Sequence, residues 1–405
     1  MKNINSKYIE ELYFQLSNES KEMFDEMKSR IVKAKNKGGK IVAVIGSGPN
    51  IHEGVTTLIA ELIHKGIIDG VTMSSAVVAH EMAGTLDKVK RIDGKKLGFP
   101  VTILPKGNYL EVTEMSDQFI SELKKEFIID EDLMNRALRE NGNTIIKAAG
   151  NMAYPMGLRT ERLSQKILLI AQSKGVSFEL AAGAGADPYT IIGAAYIKNI
   201  PVLVTTPQLV GGGMVGICIA DSISILERST KIAEIMAGAD VIIESGVALT
   251  QEIHDGPFET YTGHGFWSCM EGYQTYSIKD KILVRIDLDS NLKKAWDMEK
   301  QSSVVQNAVN NGLPKAKTMS IPFRMEMSGF ARLENSIPLI GDLGTLWPIL
   351  ALKLSEELCF ELDFISYPQQ SEEGKKMRDW IVQNIKPINI NKLKWACAQP
   401  QFIRL

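Results

Sequence analysis

The sequence predicts an α/β fold with a parallel sheet that is covered by helices on both faces. Short apolar runs rich in β-branched residues alternate with glycine or small-residue turns and with amphipathic helical segments. Strands that are buried on both faces have this composition, because the connecting helices of a parallel sheet pack on both sides. The predicted strands are Ile41–Ile45, Gly70–Met73, Val176–Ala181, Ile200–Thr205, Ala239–Ile243 and Ile282–Ile286.

Composition narrows the class of protein. The chain has 405 residues, of which 44% are hydrophobic and 23% are charged, as is typical of globular proteins. A formal net charge of −2 gives no general attraction for nucleic acid or an anionic membrane, so neither is expected as a partner. The four cysteines lie far apart, and the N-terminus lacks the apolar core of a signal peptide. A cytoplasmic location is therefore expected.

The pattern divides the chain into three parts. Residues 1–38 predict an N-terminal helical segment that ends at a glycine helix stop. Residues 39–300 contain the predicted sheet, with a more polar helical insertion at about 86–145. Residues 301–405 predict a C-terminal α/β extension packed on the same core. A split into two domains near residue 150 is the alternative.

A glycine-rich turn follows the first predicted strand. In parallel sheets, ligands bind outside the carboxyl ends of the strands, where glycine turns and helix N-termini present N–H groups to anions. The spacing approaches the Rossmann dinucleotide fingerprint without matching it strictly. A turn needed only for tight chain reversal is the alternative. The candidate binding residues here are Gly46, Ser47, Gly48, Pro49, Asn50 and Gly54.

The second predicted strand leads into two serines and a histidine–glutamate pair. Ser74 and Ser75 suit either ligand binding or the capping of the next helix. His80 and Glu81 suit general acid–base catalysis, because an imidazole titrates near neutral pH. A surface or capping pair is the alternative.

Two further loops carry candidate binding residues. Asp187 is expected to begin a helix with Pro188, and capping explains it as well as ligand binding does. Three consecutive glycines at 211–213 indicate close approach by a ligand, a neighbouring chain or a mobile loop. Gly212 is the candidate substrate contact in this run.

The segment after the fifth predicted strand is rich in titratable and aromatic residues. Such groups beside glycines predict the wall of a pocket for a cationic or amine substrate. No H-x-x-x-H or similar template is present, so a metal is not expected. The candidates are Glu244, Glu252, His254 and Asp255 for catalysis, and His264 and Trp267 for substrate binding.

Residues 41–86 resemble part of the archaeal and cyanobacterial-type ornithine cyclodeaminases. The matching features are the Gly46–Pro49 turn with His52 and Gly54 nearby, and the later element with Ala76, His80 and Glu81. More distantly, the layout is similar to that of deoxyhypusine synthases. The lysine that forms an imine in those synthases would fall near Leu249.

The resemblance implies an enzyme with tightly held NAD that oxidises a carbon–nitrogen bond to an imine. It makes residues 39–300 an NAD-binding catalytic domain, in which the glycine turn, Ser74, Ser75 and Asp187 contact the cofactor. The implied substrate is a small amine or amino acid, and the implied assembly is a homo-dimer or homo-tetramer. A non-redox lyase or transferase, or a sensor that binds NAD or a metabolite without turnover, are the alternatives.

Overall fold

The computed structural model describes residues 4–150, 152–246, 276–287, 294, 297–298, 301–311, 320 and 335–399. The strands of this part of the chain are β1 (Ile41–Ile45), β2 (Gly70–Met73), β3 (Leu86–Asp93), β4 (Tyr109–Thr113), β5 (Gly142–Ala148), β6 (Val202–Val204), β7 (Val241–Ser245), β8 (Ile282–Asp287) and β9 (Ser336–Ile340). The helices are α1 (Ser6–Gln15), α2 (Asn18–Asn36), α3 (Pro49–His52), α4 (Val55–His64), α5 (Ser75–Met82), α6 (Asp117–Glu126), α7 (Glu131–Arg139), α8 (Met156–Lys174), α9 (Phe178–Gly183), α10 (Ile191–Lys198), α11 (Met214–Ser222), α12 (Ile225–Ala237), α13 (Ser303–Asn310), α14 (Leu343–Glu357), α15 (Glu372–Asn384) and α16 (Ile390–Ala398). Short 3₁₀ segments lie at Gly94–Leu97, Val101–Ile103 and Thr206–Gly212.

Six parallel strands form the main sheet in the order β6-β2-β1-β7-β8-β9. Numbered along the chain within this sheet, the order is 3-2-1-4-5-6, the order of dinucleotide-binding sheets. The carboxyl ends of β1, β2 and β7 are in register, with Ile45 opposite both Met73 and Ser245. The order reverses between β1 and β7, which makes their carboxyl ends the topological switch point of the sheet.

The main sheet is buried on both faces. Successive side chains of each strand point to opposite faces, and each face packs in a core of its own. Ala43 and Ile45 of β1 pack in a core with residues of α4 and α14. Val42 and Val44 pack in a second core, with residues of α12 and α13 on the other face. The predicted parallel α/β fold with helices on both faces is confirmed.

The N-terminal helical segment consists of two helices, α1 and α2. The chain breaks between α1 and α2, where the hydroxyl of Ser17 accepts a hydrogen bond from the amide of Ser20 (3.1 Å). α2 ends at Asn36 and is capped by Lys37, and Gly38 follows with a φ of +75°. This residue is the helix stop that the sequence predicts.

Residues 86–148 contain a second, antiparallel sheet in the order β4-β3-β5. Helices α6 and α7 lie in the same region, so the segment predicted as a helical insertion contains a sheet as well as helices. The central strand β3 has only three buried positions out of eight, with charged residues between them. Because so few of its residues are apolar, the strand lacks the continuous apolar run that marks the strands of the main sheet.

Two predictions for the main sheet need correction. The third predicted strand, Val176–Ala181, is instead mostly helical, because residues 178–183 form helix α9. This helix begins after Ser177, whose hydroxyl accepts from the amide of Leu180 (3.3 Å). A short apolar run fits a buried helix as well as a buried strand. The sheet is completed instead by β9, which pairs with β8 and comes from residues 301–405.

Candidate functional site

The turns after β1 and β7 meet at the switch point. The amide of Gly46 donates to the carbonyl of Ser245 (3.1 Å). A Cβ atom on Gly46 would lie 2.3 Å from the carbonyl oxygen of Gly246, and one on Gly246 would lie 2.7 Å from Leu343. Both positions therefore require glycine because of contacts within the chain.

The side chain of Asn50 ties these two turns together. It is fully buried, and its Nδ2 donates to the carbonyls of Gly46 (3.0 Å) and Ser245 (2.9 Å). Its Oδ1 accepts from the hydroxyl of Ser245 (2.6 Å), which in turn accepts from the indole nitrogen of Trp347 (2.7 Å). The amide group of Asn50 is thus occupied by the protein itself and has no donor left for a cofactor.

The middle of the turn is open. Ser47 and Gly48 are half-buried, and neither backbone amide donates a hydrogen bond to another described residue. Gly48 has a φ of +60°, and the position of a Cβ atom on it has no atom within 4 Å. Pro49 is exposed at the start of α3. Gly54 differs, because a Cβ atom there would lie 2.6 Å from the sulfur of Met377, so this glycine allows helix packing.

The two serines after β2 bond to neighbouring backbone. The hydroxyl of Ser74 accepts from the amide of Ala76 (3.1 Å) and caps α5. The hydroxyl of Ser75 donates to the carbonyl of Gln208 (2.7 Å) and accepts from the amide of Gly212 (2.8 Å). The glycine run therefore allows α5 to pack closely against this loop. A Cβ atom on Gly212 would lie 2.7 Å from the carbonyl oxygen of Ser75.

The carboxylate of Glu81 caps a helix. Its two oxygens accept from the amides of Ile191 (2.8 Å) and Ile192 (3.1 Å), the first residues of α10. Burial raises the pKa of Glu81 to about 8, although the two amides oppose this change. The side chain of Glu81 is thus buried, and both of its oxygens cap α10 rather than face a ligand site.

Asp187 also bonds to backbone. Its carboxylate accepts from the amides of Tyr189 (3.0 Å) and Lys386 (3.0 Å). The expectation that Asp187 begins the next helix is wrong, because α10 starts at Ile191 and is capped by Thr190. Asp187 instead holds the turn before this helix to the C-terminal region.

Glu244 lies near the carboxyl end of β7, on the face that packs against α12. Its side chain is fully buried, and its Oε2 lies 3.7 Å from Nε of Arg285 on the neighbouring strand β8. The other candidates of this region, Glu252, His254, Asp255, His264 and Trp267, lie outside the described residues.

Two histidines lie together beside the glycine turn. Nδ1 of His80 is 2.7 Å from the carbonyl oxygen of Ala149. A carbonyl only accepts, so Nδ1 carries the proton and, in the neutral ring, Nε2 is left as the acceptor. Burial lowers the pKa of His80, the bond to Ala149 opposes this, and the charge of Lys147 lowers it further.

His52, at the end of α3, is the residue that site prediction missed. Burial lowers its pKa first, followed by the positive charges of Arg378, His80 and Lys147. The histidine four residues after Gly48 was the available signal in the sequence. Lys147 lies in β5 and Arg378 in α15, so no local pattern joins them to the turn.

A cavity of about 680 Å³ lies at the opposite end of the main sheet. Its lining includes Lys40, Asp69 and Pro201, which precede β1, β2 and β6. Ligands of such sheets bind at the carboxyl ends of the strands, so we place the candidate site at the Gly46–Gly48 turn and the two histidines. Within the described ranges, no group of three or more His, Cys, Asp or Glu side chains is arranged to hold a metal ion.

No protein-family model matches the chain, and no curated protein matches its sequence. Among solved structures, a candidate deoxyhypusine synthase from Entamoeba histolytica is similar, with 10% identity and a TM-score of 0.40, over 87% of this chain and 93% of that one. One of the families that the sequence resembles is thus among its structural neighbours.

Two longer proteins are also similar. The ternary complex of AgrE with ornithine and NAD⁺ is 12% identical, with a TM-score of 0.38, over 84% of this chain and 34% of AgrE. ArgZ, an arginine dihydrolase of the cyanobacterial ornithine–ammonia cycle, is 12% identical, with a TM-score of 0.38, over 82% of this chain and 31% of ArgZ. The chain spans about a third of the length of these two proteins. These likenesses are distant, and the function proposed below rests on the residues of this chain.

Helices of the described segments are all too short or too polar to cross a membrane.

Proposed function

We propose that the chain is an NAD-dependent enzyme that acts on a carbon–nitrogen bond of a small amine or amino acid. The observation that carries this proposal is the open turn at the switch point of a 3-2-1-4-5-6 sheet, where the amides of Ser47 and Gly48 have no partner among the described residues. Free backbone N–H groups at this point of the fold suit the pyrophosphate of a dinucleotide.

The turn fits the pyrophosphate, whereas the end of β2 departs from the fingerprint. In the fingerprint, an acidic residue there accepts from a ribose hydroxyl. Here Ser74 follows β2, and its hydroxyl is bonded to Ala76. We therefore assign Ser47, Gly48 and Pro49 to the cofactor and give Asn50 and Ser75 structural roles. When bound, NAD would accept a hydride from the carbon that carries the substrate nitrogen.

His80 is the group that would move the proton. Oxidation of an amine to an imine removes a hydride from carbon and a proton from nitrogen, so a base is needed beside the substrate. The lowered pKa of His80 keeps its ring neutral at pH 7, and the bond to Ala149 leaves Nε2 as the acceptor.

The resemblance to ornithine cyclodeaminases supports the assignment to carbon–nitrogen chemistry. On the sequence evidence, we place this enzyme in the cytoplasm as a homo-dimer or homo-tetramer.

The test is mass spectrometry of the small molecules released when the freshly purified native protein is denatured. We expect near-stoichiometric NAD from the unmodified protein and its loss from the Gly48→Ala variant. Gly98→Ala is the matched control, because Gly98 also has a positive φ and open space around it but lies in the insertion. If no dinucleotide is released and added NAD does not raise the melting temperature, the proposal is wrong.

One observation favours the second candidate, a non-redox lyase or transferase on a carboxylated or phosphorylated molecule. It is the serine at the end of β2, where a ribose-binding acid is usual in dinucleotide sites. For this candidate the turn would bind the anion of the substrate itself. Saturable binding of inorganic phosphate to a protein that neither contains nor binds NAD would support it.

A further inference from the structure

Three elements meet beside His52: α3, β5 and α15. A Cβ atom on Gly54, just after α3, would lie 2.6 Å from the sulfur of Met377 in α15. The next residue, Arg378, donates through Nη2 to the carbonyl of Ile146 in β5 (2.5 Å). Because of these contacts, the guanidinium of Arg378 lies between the small sheet and the helix that follows the glycine turn.

The guanidinium of Arg378 is half-buried and has no ion pair with a described residue. Its buried Nε has no hydrogen-bond partner among the residues that the structure describes. The carboxylates of Glu53 and Asp379 lie near enough to act on the charge of Arg378, but neither forms an ion pair with it: Glu53 accepts from the amide of Gln369 (2.7 Å), and Asp379 pairs with Lys88 (3.1 Å). Burial of a cation without an ion pair is costly, so the position is suited to an anion from outside the chain.

Lys147 adds a second cation, in β5 next to the Ile146 carbonyl that Arg378 contacts. Lys147 donates to Glu111 (2.6 Å), but the same carboxylate also accepts from Arg91 (2.7 Å), so one acid balances two cations. Among the described residues, the charges that lower the pKa of His52 are those of Arg378, Lys147 and the protonated form of His80. The imidazole of His52 itself has no hydrogen-bond partner in the described part of the chain.

We propose that His52, Lys147 and Arg378 bind an oxyanion, and that this oxyanion is the carboxylate of the substrate. Guanidinium and ammonium groups form short, charge-assisted hydrogen bonds with carboxylates, and an imidazole adds a further N–H donor. The inference rests on the proposed function and narrows it. The substrate is then an amino acid, because a polyamine has no carboxylate for these three side chains to bind.

The test uses inorganic sulfate as the probe and the native full-length protein. Sulfate should shift the imidazole signal of His52 in NMR spectra saturably, and the signal can be assigned with His52→Gln. Arg378→Gln and Lys147→Gln should each weaken the apparent affinity at least about tenfold, because each removes a charge-assisted hydrogen bond. Lys96→Gln is the matched control, since Lys96 lies in the same insertion and pairs with Glu140 (3.1 Å). It should bind sulfate like the unmodified protein.

Three results would overturn the inference. The first is an unchanged His52 signal with sulfate, and the second is an equal loss of affinity in Lys96→Gln. The third is displacement of sulfate by NAD, which would assign the site to a cofactor phosphate. Sulfate binding by a protein that holds no NAD would instead reject the proposed function and leave the oxyanion site in place.

Discussion

Nδ1 of His80 lies 2.7 Å from the carbonyl oxygen of Ala149, so the turn after β5 decides which nitrogen of the ring is free. The histidine lies in α5, which follows β2 of the main sheet, and the carbonyl belongs to the residue that follows β5 of the second, smaller sheet. The two parts of the fold thus orient a proton acceptor together, and neither part does so alone.

We predict that His52 and His80 titrate below the ordinary histidine pKa of about 6.5. Burial is the largest cause for both, and nearby positive charge adds to it. The folded chain then binds fewer protons than the unfolded chain as pH falls through 6.5, so the free energy of unfolding decreases there. NMR titration of the imidazole protons measures the pKa values, with the urea-unfolded chain as the reference. A folded-state pKa above the unfolded value for either ring would contradict this prediction.

Asn50 should be among the most sensitive positions of the main sheet. Asn50→Ala removes a buried donor from the carbonyls of Gly46 and Ser245 and the acceptor from the hydroxyl of Ser245. We expect a loss of about 2–4 kcal/mol in the free energy of unfolding. Asn50→Asp should cost more, because a carboxylate oxygen would face the two carbonyls. Urea denaturation measures both variants against Asn36→Ala, which changes an exposed asparagine. Equal stability of all three variants would disprove this role for Asn50.

Glu81 should act on stability through α10. Glu81→Ala removes the acceptor of two amides at the first turn of this helix, and we expect a loss of about 2–4 kcal/mol. Glu81→Gln keeps one carbonyl oxygen and should lose about half as much. Thermal unfolding compares them with Glu10→Ala, an exposed position of α1 that should change stability by less than about 0.5 kcal/mol. A Glu81→Ala variant as stable as Glu10→Ala would show that the cap is unimportant.

Asp87 should make stability depend on pH. Its carboxylate accepts from the amide of Gly150 (2.9 Å), and burial raises its pKa from 3.8 to about 7. Between these two values the folded chain binds more protons than the unfolded chain, so the free energy of unfolding decreases as pH rises. Asp87→Asn removes this decrease and keeps an acceptor for Gly150. The variant should therefore gain ~1–2 kcal/mol over the unmodified protein on going from pH 5 to pH 8, below the full linkage value because the side chain is partly exposed.

Urea unfolding at several pH values tests the Asp87 prediction. Asp93→Asn is a suitable control, because Asp93 lies in the same strand and accepts from the amide of Lys95 (3.0 Å). The same pH dependence in Asp87→Asn and the unmodified protein would contradict the role of Asp87.

The main sheet could be predicted from the sequence because its strands are apolar on both faces. Five of the six predicted runs coincide with strands of the main sheet, whereas residues 178–183 form a helix. At six residues, that helix is too short for a periodicity of 3.6 to separate it from a strand. β9 was missed because its proline and its partly buried alternate positions break the apolar pattern.

The glycine turn could also be predicted, because a turn is a local feature. The roles of its residues could not, since Asn50 bonds to a strand end 195 positions away and His80 to a carbonyl 69 positions away. The same reason explains why Lys147 and Arg378 were not proposed from the sequence. Lys147 and Arg378 come close to His52 only when the second sheet and α15 pack beside α3.

The strand order of the main sheet delays its assembly while the chain is being synthesised. β1 acquires its partner β7 only when the chain has grown by about 200 residues, the separation between Lys40 and Asp240, which bond at the start of the two strands. Until then, a nascent chain carries a hydrophobic strand with one unsatisfied edge, and such edges promote association between chains. β8 and β9 then complete the sheet beyond β7. A ribosome-bound intermediate truncated before residue 241 should therefore depend on chaperones, whereas one that extends past β9 should not.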